Sequence, residues 1–395
     1  MAKSRLILIT NPGSSSRKYA LYRDSEFLCA LHFEFERGRV VCTLKRANDT
    51  KKKLPQDFKT LTTTVSHINE ILTEEGYLDE NTKIDVVLAR VAAPGTYFTE
   101  DHIVDKEYLK NLEEAKKKAP LHVPVVAGEI EHFVKIFEGT PILSISDSSF
   151  HNTRPNVSKY YAVDTKLADK ADIKRYGYHG LSVGSIVKYM EAEKILPEKL
   201  IVCHIGSGSS VTAVVQGKSF ETTMGYTPLE GVMMSTRCGN IDAAAAMAFK
   251  RTLDLNDEDF EKYLNKECGL KGVSGKTDDM REIIEDENNG DERAKFAHEL
   301  YGYRIRQEIG RMAGSMNGVD AIVMTATIGE RSKEDRELIC NELEYLGFFM
   351  DDAKNKGEFV NRHTNIATEN SKPIWVIRTD EFEEMIRKAE ILLEK

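Results

Sequence analysis

Polar side chains of the kinds that handle phosphate groups stand at or just after the ends of strand-like segments in this 395-residue chain. The residues in question are Asn11, Arg90, Asp147 and His204. Side chains at strand ends, next to Gly/Ser turns, are where α/β proteins gather their sites. Carboxylates suit Mg²⁺, arginine and histidine suit a transferring charge, and Gly/Ser turns suit phosphates. Each residue alone is more typical of a structural role, but together they predict a phosphoryl-transfer site.

Two segments of the chain repeat the same order of features. Residues 5–22 read RLILITNPGSSSRKYALY and residues 199–216 read KLIVCHIGSGSSVTAVVQ, an offset of 194 residues, close to half the chain. Each is an apolar strand, a Gly/Ser turn and a second strand. Glycine lets the backbone approach a phosphate, and serine hydroxyls and turn N–H groups donate to its oxygens. Two ordinary hairpins with polar tips are the alternative, but the half-length offset favours a duplicated fold.

The rest of the chain alternates between strand-like and helix-like segments. The first half predicts strands over 5–10, 17–23, 27–35, 39–46, 84–91 and 141–147 and helices over 58–76, 106–118 and 124–137. The second half predicts strands over 199–205, 210–216, 217–224, 320–325 and 373–379 and helices over 181–193, 291–315, 333–346 and 380–394. Strands followed by strand–helix alternation indicate an α/β fold with a mixed sheet in each half.

Composition excludes several classes of protein. A net charge of −9 argues against a nucleic-acid binder. The six cysteines are scattered without CxxC spacing, which argues against zinc and fits free thiols in a reducing cytosol. The apolar run near the N-terminus is too short for a signal peptide, and no run is long enough to span a membrane. We therefore expect a cytoplasmic protein that binds neither nucleic acid nor membrane.

Two more segments carry candidate anion-binding residues. His179 lies in KRYGYHG, just before a predicted helix, and its flanking glycines favour an anion contact over a helix cap. Residues 221–242 form a long Gly-containing stretch whose only basic residue, Arg237, could clamp a carboxylate or phosphate. By contrast, GLKGVSGKT resembles a phosphate-binding P-loop but has Leu270 where glycine is needed.

Taken together, the motifs resemble those of the acetate kinase family in the sugar kinase–Hsp70–actin superfamily. They are NPGSSSRK, APLHVP, DSSFH, RYGYHG, TMGYTPLEG, STRCGNID and TDE, spread from residue 11 to residue 381. The resemblance implies duplicated ribonuclease-H-like (actin-like ATPase) domains, with mixed β-sheets flanked by helices and an active-site cleft between the domains. The first domain would hold 1–148 plus 382–395. The second, 149–381, would carry the nucleotide-binding side and the interface of a homodimer.

The same resemblance implies an activity and a set of site residues. The family interconverts ATP plus acetate with ADP plus acetyl phosphate, using Mg²⁺ (or Mn²⁺). Catalytic roles are implied for Arg90, Asp147, His179 and Arg237, and metal binding for Asn11 and Glu381. An acyl-substrate pocket is implied for Arg90, Ala92, Leu121, Tyr178 and Pro228. Phosphate or nucleotide binding is implied for Ser14, Ser16, Lys18, His122, His204, Gly206, Ser207, Gly208, Asp279, Arg281, Thr327, Ile328, Gly329 and Arg331. A carboxylate is already a nucleophile, so catalysis would consist of positioning and charge neutralisation.

Departures from the family pattern leave the substrates open. Ala92 stands where the family has a valine in the pocket wall, and a pocket methylene is worth roughly 1–3 kcal/mol, so propionate or butyrate could fit. Tyr178 replaces a phenylalanine and adds a hydroxyl that could offset this. Ser207, Thr327 and Arg331 change the nucleotide side, so GTP, pyrophosphate or polyphosphate are alternative donors. A non-catalytic, actin-like nucleotide-binding protein is the alternative of another class, against which the survival of both arginines and His179 argues.

Overall fold

A computed structural model describes residues 4–12, 16–36, 39–55, 58, 60–79, 82–120 and 123–394. The chain divides into two compact units. Unit 1 comprises Met1–Ser149 and Glu381–Lys395, and unit 2 comprises Phe150–Asp380. Three residues with predicted roles, Ser14, Leu121 and His122, lie outside the described residues.

The sheet of unit 1 is mixed. Its strands are β1 Leu6–Pro12, β2 Ser16–Arg23, β3 Glu26–Glu36, β4 Arg39–Arg46, β5 Lys51–Lys53, β6 Val86–Val91, β7 His102–Ile103 and β8 Ile142–Ser146. They lie in the order β5-β4-β3-β2-β1-β6-β8-β7. β1 pairs antiparallel with β2 and parallel with β6, which pairs parallel with β8. β8 is buried along its whole length, as expected for a strand covered on both faces.

Four α-helices accompany this sheet in the described part of unit 1. They are α1 Ile68–Glu74, α2 Lys106–Lys118, α3 Val123–Ile136 and the C-terminal helix Glu381–Leu393. The helix predicted over 58–76 is only partly correct, because Leu61–His67 is a 3₁₀ helix and only α1 is α-helical. The hydroxyls of Thr63, Thr64 and Ser66 donate to carbonyls three residues earlier, which suits the tighter turn.

Unit 2 is built around a second mixed sheet. Its strands are β9 Lys199–Ile205, β10 Ser209–Val215, β11 Lys218–Thr222, β12 Ala321–Thr325, β13 His363–Asn365 and β14 Ile374–Ile377. They lie in the order β11-β10-β9-β12-β14-β13. Side chains of β9 alternate between two cores: Ile201 and Cys203 join one, whereas Leu200 and Val202 join the other. This period of two shows that both faces of the sheet are covered.

Helices supply both of those covering layers. The α-helices of unit 2 are α4 Asn156–Lys159, α5 Thr165–Ala171, α6 Gly180–Ala192, α7 Ala243–Leu253, α8 Asp257–Lys266, α9 Gly269–Ser274, α10 Met280–Asn288, α11 Glu292–Ser315, α12 Ala326–Arg331, α13 Lys333–Cys340 and α14 Asp352–Asn355. α11 contributes to the first core and α6 to the second. The helix predicted over 333–346 is wrong beyond Cys340, because Glu342 adopts a left-handed conformation with φ of 67° that ends a right-handed helix.

The repeated sequence order reappears as a repeated topology. In each unit the first hairpin strand pairs antiparallel with the second, β1 with β2 and β9 with β10. It also pairs parallel with the next central strand, β6 or β12. The predicted repeat of paired strands is therefore confirmed, whereas residues 13–15, the turn of the first hairpin, lie outside the described residues. Among the helices of the described residues, none is both long enough and apolar enough to cross a bilayer.

Candidate active site

In unit 1, four polar side chains converge where the central strands end. Asn11 lies near the end of β1, Arg90 is in β6, Asp147 follows β8, and Glu381 opens the C-terminal helix. The Asn11 amide donates to Glu381 Oε2 over 2.9 Å, and Arg90 Nη1 donates to Asn11 Oδ1 over 3.3 Å. Arg90 Nη2 donates to Asp147 Oδ2 over 2.8 Å. Residues up to 370 positions apart thus form one hydrogen-bonded chain.

Burial sets the electrostatics of this cluster. The Asp147 side chain is fully buried, and that of Arg90 is 18% exposed. Burial and the negative charge of Asp147 raise the pKa of Glu381, although Arg90 works against them. Burial would lower the pKa of Arg90, but Asp147 and Glu381 outweigh it and raise that pKa. Arg90 therefore stays cationic, and its Nε has no hydrogen-bond partner among the described residues.

The remaining described unit 1 candidates lie close to this cluster along the chain. Lys18 is the register partner of Asn11 in the β1–β2 hairpin, and its positive charge opposes the rise in the pKa of Glu381. Ser16 opens β2, and Ala92, half-buried, follows β6 directly after Val91.

In unit 2, two histidines form a stacked pair beside the second hairpin. The rings of His179 and His204 lie 3.9 Å apart with an interplanar angle of 24°. His179 Nδ1 is 2.9 Å from the Ser210 hydroxyl, and His204 Nδ1 is 2.8 Å from that of Ser182. His179 precedes α6 with φ of 62°, a conformation rare outside glycine. These two contacts fix the rings through Nδ1, and Nε2 lies on the other side of each imidazole.

The glycines of the second hairpin face those Nε2 atoms. A Cβ built on Gly208 would lie 3.4 Å from His179 Nε2 and 3.3 Å from Arg237 Nη1. A Cβ on Gly206 would lie 3.9 Å from His204 Nε2. Because neither glycine has a side chain, the hairpin backbone comes close to the imidazole and guanidinium groups, and this set of donors suits a phosphate. Arg237 also donates to the Pro228 carbonyl over 3.3 Å, so it is tied to the 221–242 stretch.

Tyr178 and Pro228, two predicted acyl-pocket residues, lie in unit 2. Tyr178 is 1% exposed, and its hydroxyl donates to the Tyr226 carbonyl over 2.7 Å. That hydroxyl therefore anchors the 221–242 stretch, which contains no helix or strand between Thr222 and Ala243.

The predicted nucleotide residues of unit 2 fall into three groups. Ser207 lies between the two hairpin glycines. Asp279 caps α10 and accepts from Arg281 Nε over 2.9 Å, with Arg281 largely exposed. Thr327, Ile328, Gly329 and Arg331 all belong to α12. The α12 helix opens on Ala326 with φ of 66°, a conformation that favours glycine.

Sequence reasoning missed the residues that hold the predicted ones in place. Ser182 and Ser210 fix the two histidines, and Glu330 accepts from the backbone N–H groups of Ala326 and Thr379 over 3.0 and 3.3 Å. Tyr301 of α11 lies 2.9 Å from Ser209 Oγ, in the second hairpin. The Gly/Ser motif that contains Ser210 could have pointed to that residue, whereas no sequence motif points to Tyr301.

The oxygen donors in unit 1 fit a magnesium ion. Asp147 and Glu381 are two carboxylates in a buried place, and their mutual repulsion, visible in the raised pKa of Glu381, would be relieved by a cation. Mg²⁺ is commonly bound by one or two carboxylates together with substrate phosphates and water. Within the ranges that the structure describes, no cluster of three or more His, Cys, Asp or Glu forms a complete metal site. Such an ion would therefore depend on its substrate.

Comparisons with known proteins agree with this geometry. Residues 6–388 match the model of the acetokinase family. An acetate kinase of Thermotoga maritima is 37% identical over 403 residues, covering 98% of this chain and 99% of the relative. One of Clostridium botulinum (strain Kyoto / Type A2) is 36% identical over 383 residues, covering 95% and 96%.

Solved structures give the same result. An acetate kinase from Porphyromonas gingivalis superposes with a TM-score of 0.85 at 31% identity, covering 99% of this chain and 100% of that one. A propionate kinase from Francisella tularensis gives 0.88 at 31% identity, covering 97% and 98%. The chain belongs to the acetokinase family. The predicted family, the duplicated α/β fold and the enzyme class, a phosphotransferase with a carboxyl group as acceptor, are confirmed.

Proposed function

We propose that this chain catalyses reversible phosphoryl transfer between ATP and acetate, giving ADP and acetyl phosphate. An acetate oxygen attacks the γ-phosphorus of ATP while the bond from that phosphorus to the β–γ bridging oxygen breaks. No general base is needed, because the attacking carboxylate carries no proton at neutral pH. The observation that supports this most directly is Arg90, a half-buried cation aligned by Asp147 and Asn11.

Arg90 has the chemistry to hold the acyl carboxylate or the transferring phosphoryl group. Two of its nitrogens are engaged by Asn11 and Asp147, which fixes the plane of the guanidinium. Its Nε, a further donor, is buried and has no partner among the described residues. Guanidinium groups recognise carboxylate and phosphate oxygens through paired hydrogen bonds. A preorganised donor of this kind stabilises charge that develops in the transition state.

The residues of unit 2 would neutralise the phosphoryl group as it moves. When the Ser210 hydroxyl donates to His179 Nδ1, the proton of the ring lies on Nε2, the nitrogen next to Gly208. Arg237 Nη1 lies close to the same glycine. His204, stacked on His179, supports its orientation and would contact the donor phosphates.

Asn11, Asp147 and Glu381 are the residues that would hold Mg²⁺ during this reaction. The ion would neutralise phosphate charge on the donor nucleotide. In its absence, these same side chains fix the position of Arg90 and of the C-terminal helix.

A second candidate is a kinase of slightly longer acyl groups. Ala92 supports it, because it is smaller than the valine expected in a wall of the acyl pocket. The Tyr178 hydroxyl, bonded to the Tyr226 carbonyl, does not offset that loss by turning toward a substrate. One of the similar solved structures is described as a propionate kinase.

We also propose a homodimer. α7 supports this, because none of its residues is buried in the chain and Met247 is 55% exposed. An α-helix with Met247, Phe249 and Leu253 all exposed is unusual on a monomer and is typical of an interface.

The test is acyl phosphate formation, trapped with hydroxylamine. Acetate, propionate and butyrate are each combined with ATP, GTP or pyrophosphate, with and without Mg²⁺. We expect acetate with ATP and Mg²⁺ to give the highest kcat/KM. Turnover with pyrophosphate alone would show that pyrophosphate, and not ATP, is the phosphoryl donor. No turnover with any pair would contradict the proposed function.

A further inference from the structure

Unit 2 contains an arginine-lined pocket that none of the proposed catalytic steps uses, although one of its residues, Arg331, is placed on the nucleotide side by the family resemblance. It has a volume of about 310 Å³, and its lining includes Arg331, Arg362, Arg378, Phe359 and Asn361. The three arginines come from three separate segments: the end of α12, the loop before β13 and the residue after β14. Three guanidinium groups from different elements around one small cavity form a concentrated positive field.

The one carboxylate in the lining, that of Glu330, offsets only part of this positive charge. Glu330 turns its Oε1 to the backbone N–H groups of Ala326 and Thr379 and to the Thr325 hydroxyl, at 3.0, 3.3 and 3.4 Å. Within the part of the chain that the structure describes, Arg331 and Arg378 have no carboxylate within ion-pair distance. Their charge is therefore available to a ligand.

The pocket is also preorganised. The Arg362 guanidinium stacks on the Tyr189 ring at 4.3 Å and donates to the Arg378 carbonyl over 3.3 Å. Arg378 donates to the Phe359 carbonyl. The Phe359 ring itself is covered by the guanidinium of buried Arg336, at 4.8 Å. A ligand would thus meet side chains whose positions are already fixed, which lowers the entropic cost of binding.

We propose that this pocket binds a small oxyanion that carries two or more negative charges, of the inorganic diphosphate class. Planar arginine forks recognise phosphate oxygens in bidentate fashion. The volume lies at the lower end of the range for ligand pockets and suits a small ligand rather than a whole nucleotide. The same chemistry is offered by a free diphosphate ion and by the phosphate tail of a nucleotide.

The sole tryptophan of the chain provides a local reporter. Trp375 precedes the lining residue Val376 in β14, and the His363 ring lies 5.4 Å from it. His363 Nδ1 is in turn 2.6 Å from the hydroxyl of Tyr189, the ring on which Arg362 stacks. A ligand that pairs with Arg362 is therefore expected to change the electrostatic environment of Trp375 and with it the tryptophan fluorescence.

The experiment titrates the full-length protein with pyrophosphate, with and without saturating ADP, and follows tryptophan fluorescence. Calorimetry with the same probe detects binding that leaves Trp375 unchanged. The variant is Arg378→Gln, and the matched control is Arg304→Gln, which removes one exposed positive charge from α11. We expect saturable binding that Arg378→Gln weakens by about 10- to 100-fold and Arg304→Gln leaves unchanged.

A parallel titration with ADP separates the two sources of the ligand. If Arg378→Gln weakens pyrophosphate alone and ADP does not compete, the ligand is a free oxyanion. If ADP competes and Arg378→Gln also weakens ADP, the ligand is the phosphate tail of a nucleotide. No saturable binding to the unmodified protein, or equal weakening by both variants, overturns the proposal. The readout needs no turnover, so this outcome is distinct from failure of the proposed function.

Discussion

Arg90 carries more of the proposed chemistry than any other single residue. Arg90→Lys keeps a positive charge near Asp147 but loses the planar fork that bonds Asn11 and Asp147 together. We expect kcat/KM for acetate to fall by about 10²- to 10³-fold, the usual loss for one oxyanion donor. The measurement is the hydroxylamine assay.

Thermal unfolding of the same variants provides the control for Arg90. Arg90→Ala leaves the Asp147 carboxylate buried without its cation, which costs about 3–5 kcal/mol of stability. Arg90→Lys is expected to unfold near the unmodified protein. If Arg90→Lys kept full activity, Arg90 would not be a catalytic residue.

Gly208 tests the proposed phosphate contact beside His179. In Gly208→Ala the new methyl would lie 3.3–3.4 Å from Arg237 Nη1 and His179 Nε2, where a phosphate is proposed to bind. We expect KM for the nucleotide to rise at least tenfold without loss of the fold. The matched control is Gly128→Ala in α3, where a Cβ meets nothing within 4 Å. Equal activity of the two variants would contradict a phosphate at this place.

Residue types predicted these sites only in part. Asn11, Arg90 and Asp147 stood at strand ends, so their convergence followed from the sheet order. Glu381 could not be placed in that way, because it joins Asn11 from 370 residues away, and only the family resemblance pointed to it. Ser182 and Tyr301 carry no motif, since their roles depend on tertiary neighbours that periodicity does not specify.

At the level of elements, β1, β2 and α3 meet at a buried carboxyl group. Glu129 of α3 accepts from the Thr10 hydroxyl, and its Oε2 lies 3.2 Å from Arg17 Nε. Burial raises the pKa of Glu129 to about 7, despite opposing effects of Thr10 and Arg17. The folded protein therefore holds a proton on Glu129 at pH values where the unfolded chain, with a pKa near 4.5, has released it.

That shift has a definite sign. Because the pKa is higher in the folded state, its stabilising effect is complete below about pH 4.5 and is lost as pH rises to about 7, an effect of about 3 kcal/mol. Glu129→Gln mimics the protonated form at all pH values. We expect the unmodified protein to lose more thermal stability between pH 5 and pH 8 than Glu129→Gln does. Parallel losses in calorimetric scans would show that Glu129 titrates normally.

The boundaries of elements were predicted well where apolar patterns were strong. β9 and α2 match their predicted ranges, because each has one dominant period and α2 has an Asp105 cap. The helix predicted over 333–346 ran too far because Glu342 adopts a left-handed backbone conformation, and glutamate is not a residue type that indicates one. Threonine hydroxyls that bond the backbone converted the start of the 58–76 segment to a 3₁₀ turn.

At the scale of the whole molecule, α7 exposes apolar side chains that nothing within a single chain covers among the described residues. If a second copy covers it, as we propose, then Met247→Glu should dissociate the dimer, because the substitution places a charge in a desolvated interface. Sedimentation velocity measures the oligomeric state. Ile391→Glu on the C-terminal helix, another exposed apolar residue, is the control. A dimer that survives Met247→Glu would place the interface elsewhere.

The division of unit 1 into two stretches of sequence affects how the protein is made. A ribosome that has released residues 1–149 must still synthesise all of unit 2 before Glu381 and its helix exist. At usual rates of translation that interval lasts some tens of seconds. Throughout this interval, Asn11 lacks its carboxylate partner Glu381. Unit 2 does not wait for the last helix, because all of its residues are synthesised before it. A nascent chain, or one terminated before residue 381, therefore carries a finished unit 2 and an unfinished unit 1. The first site contact that it lacks is the one between Asn11 and Glu381.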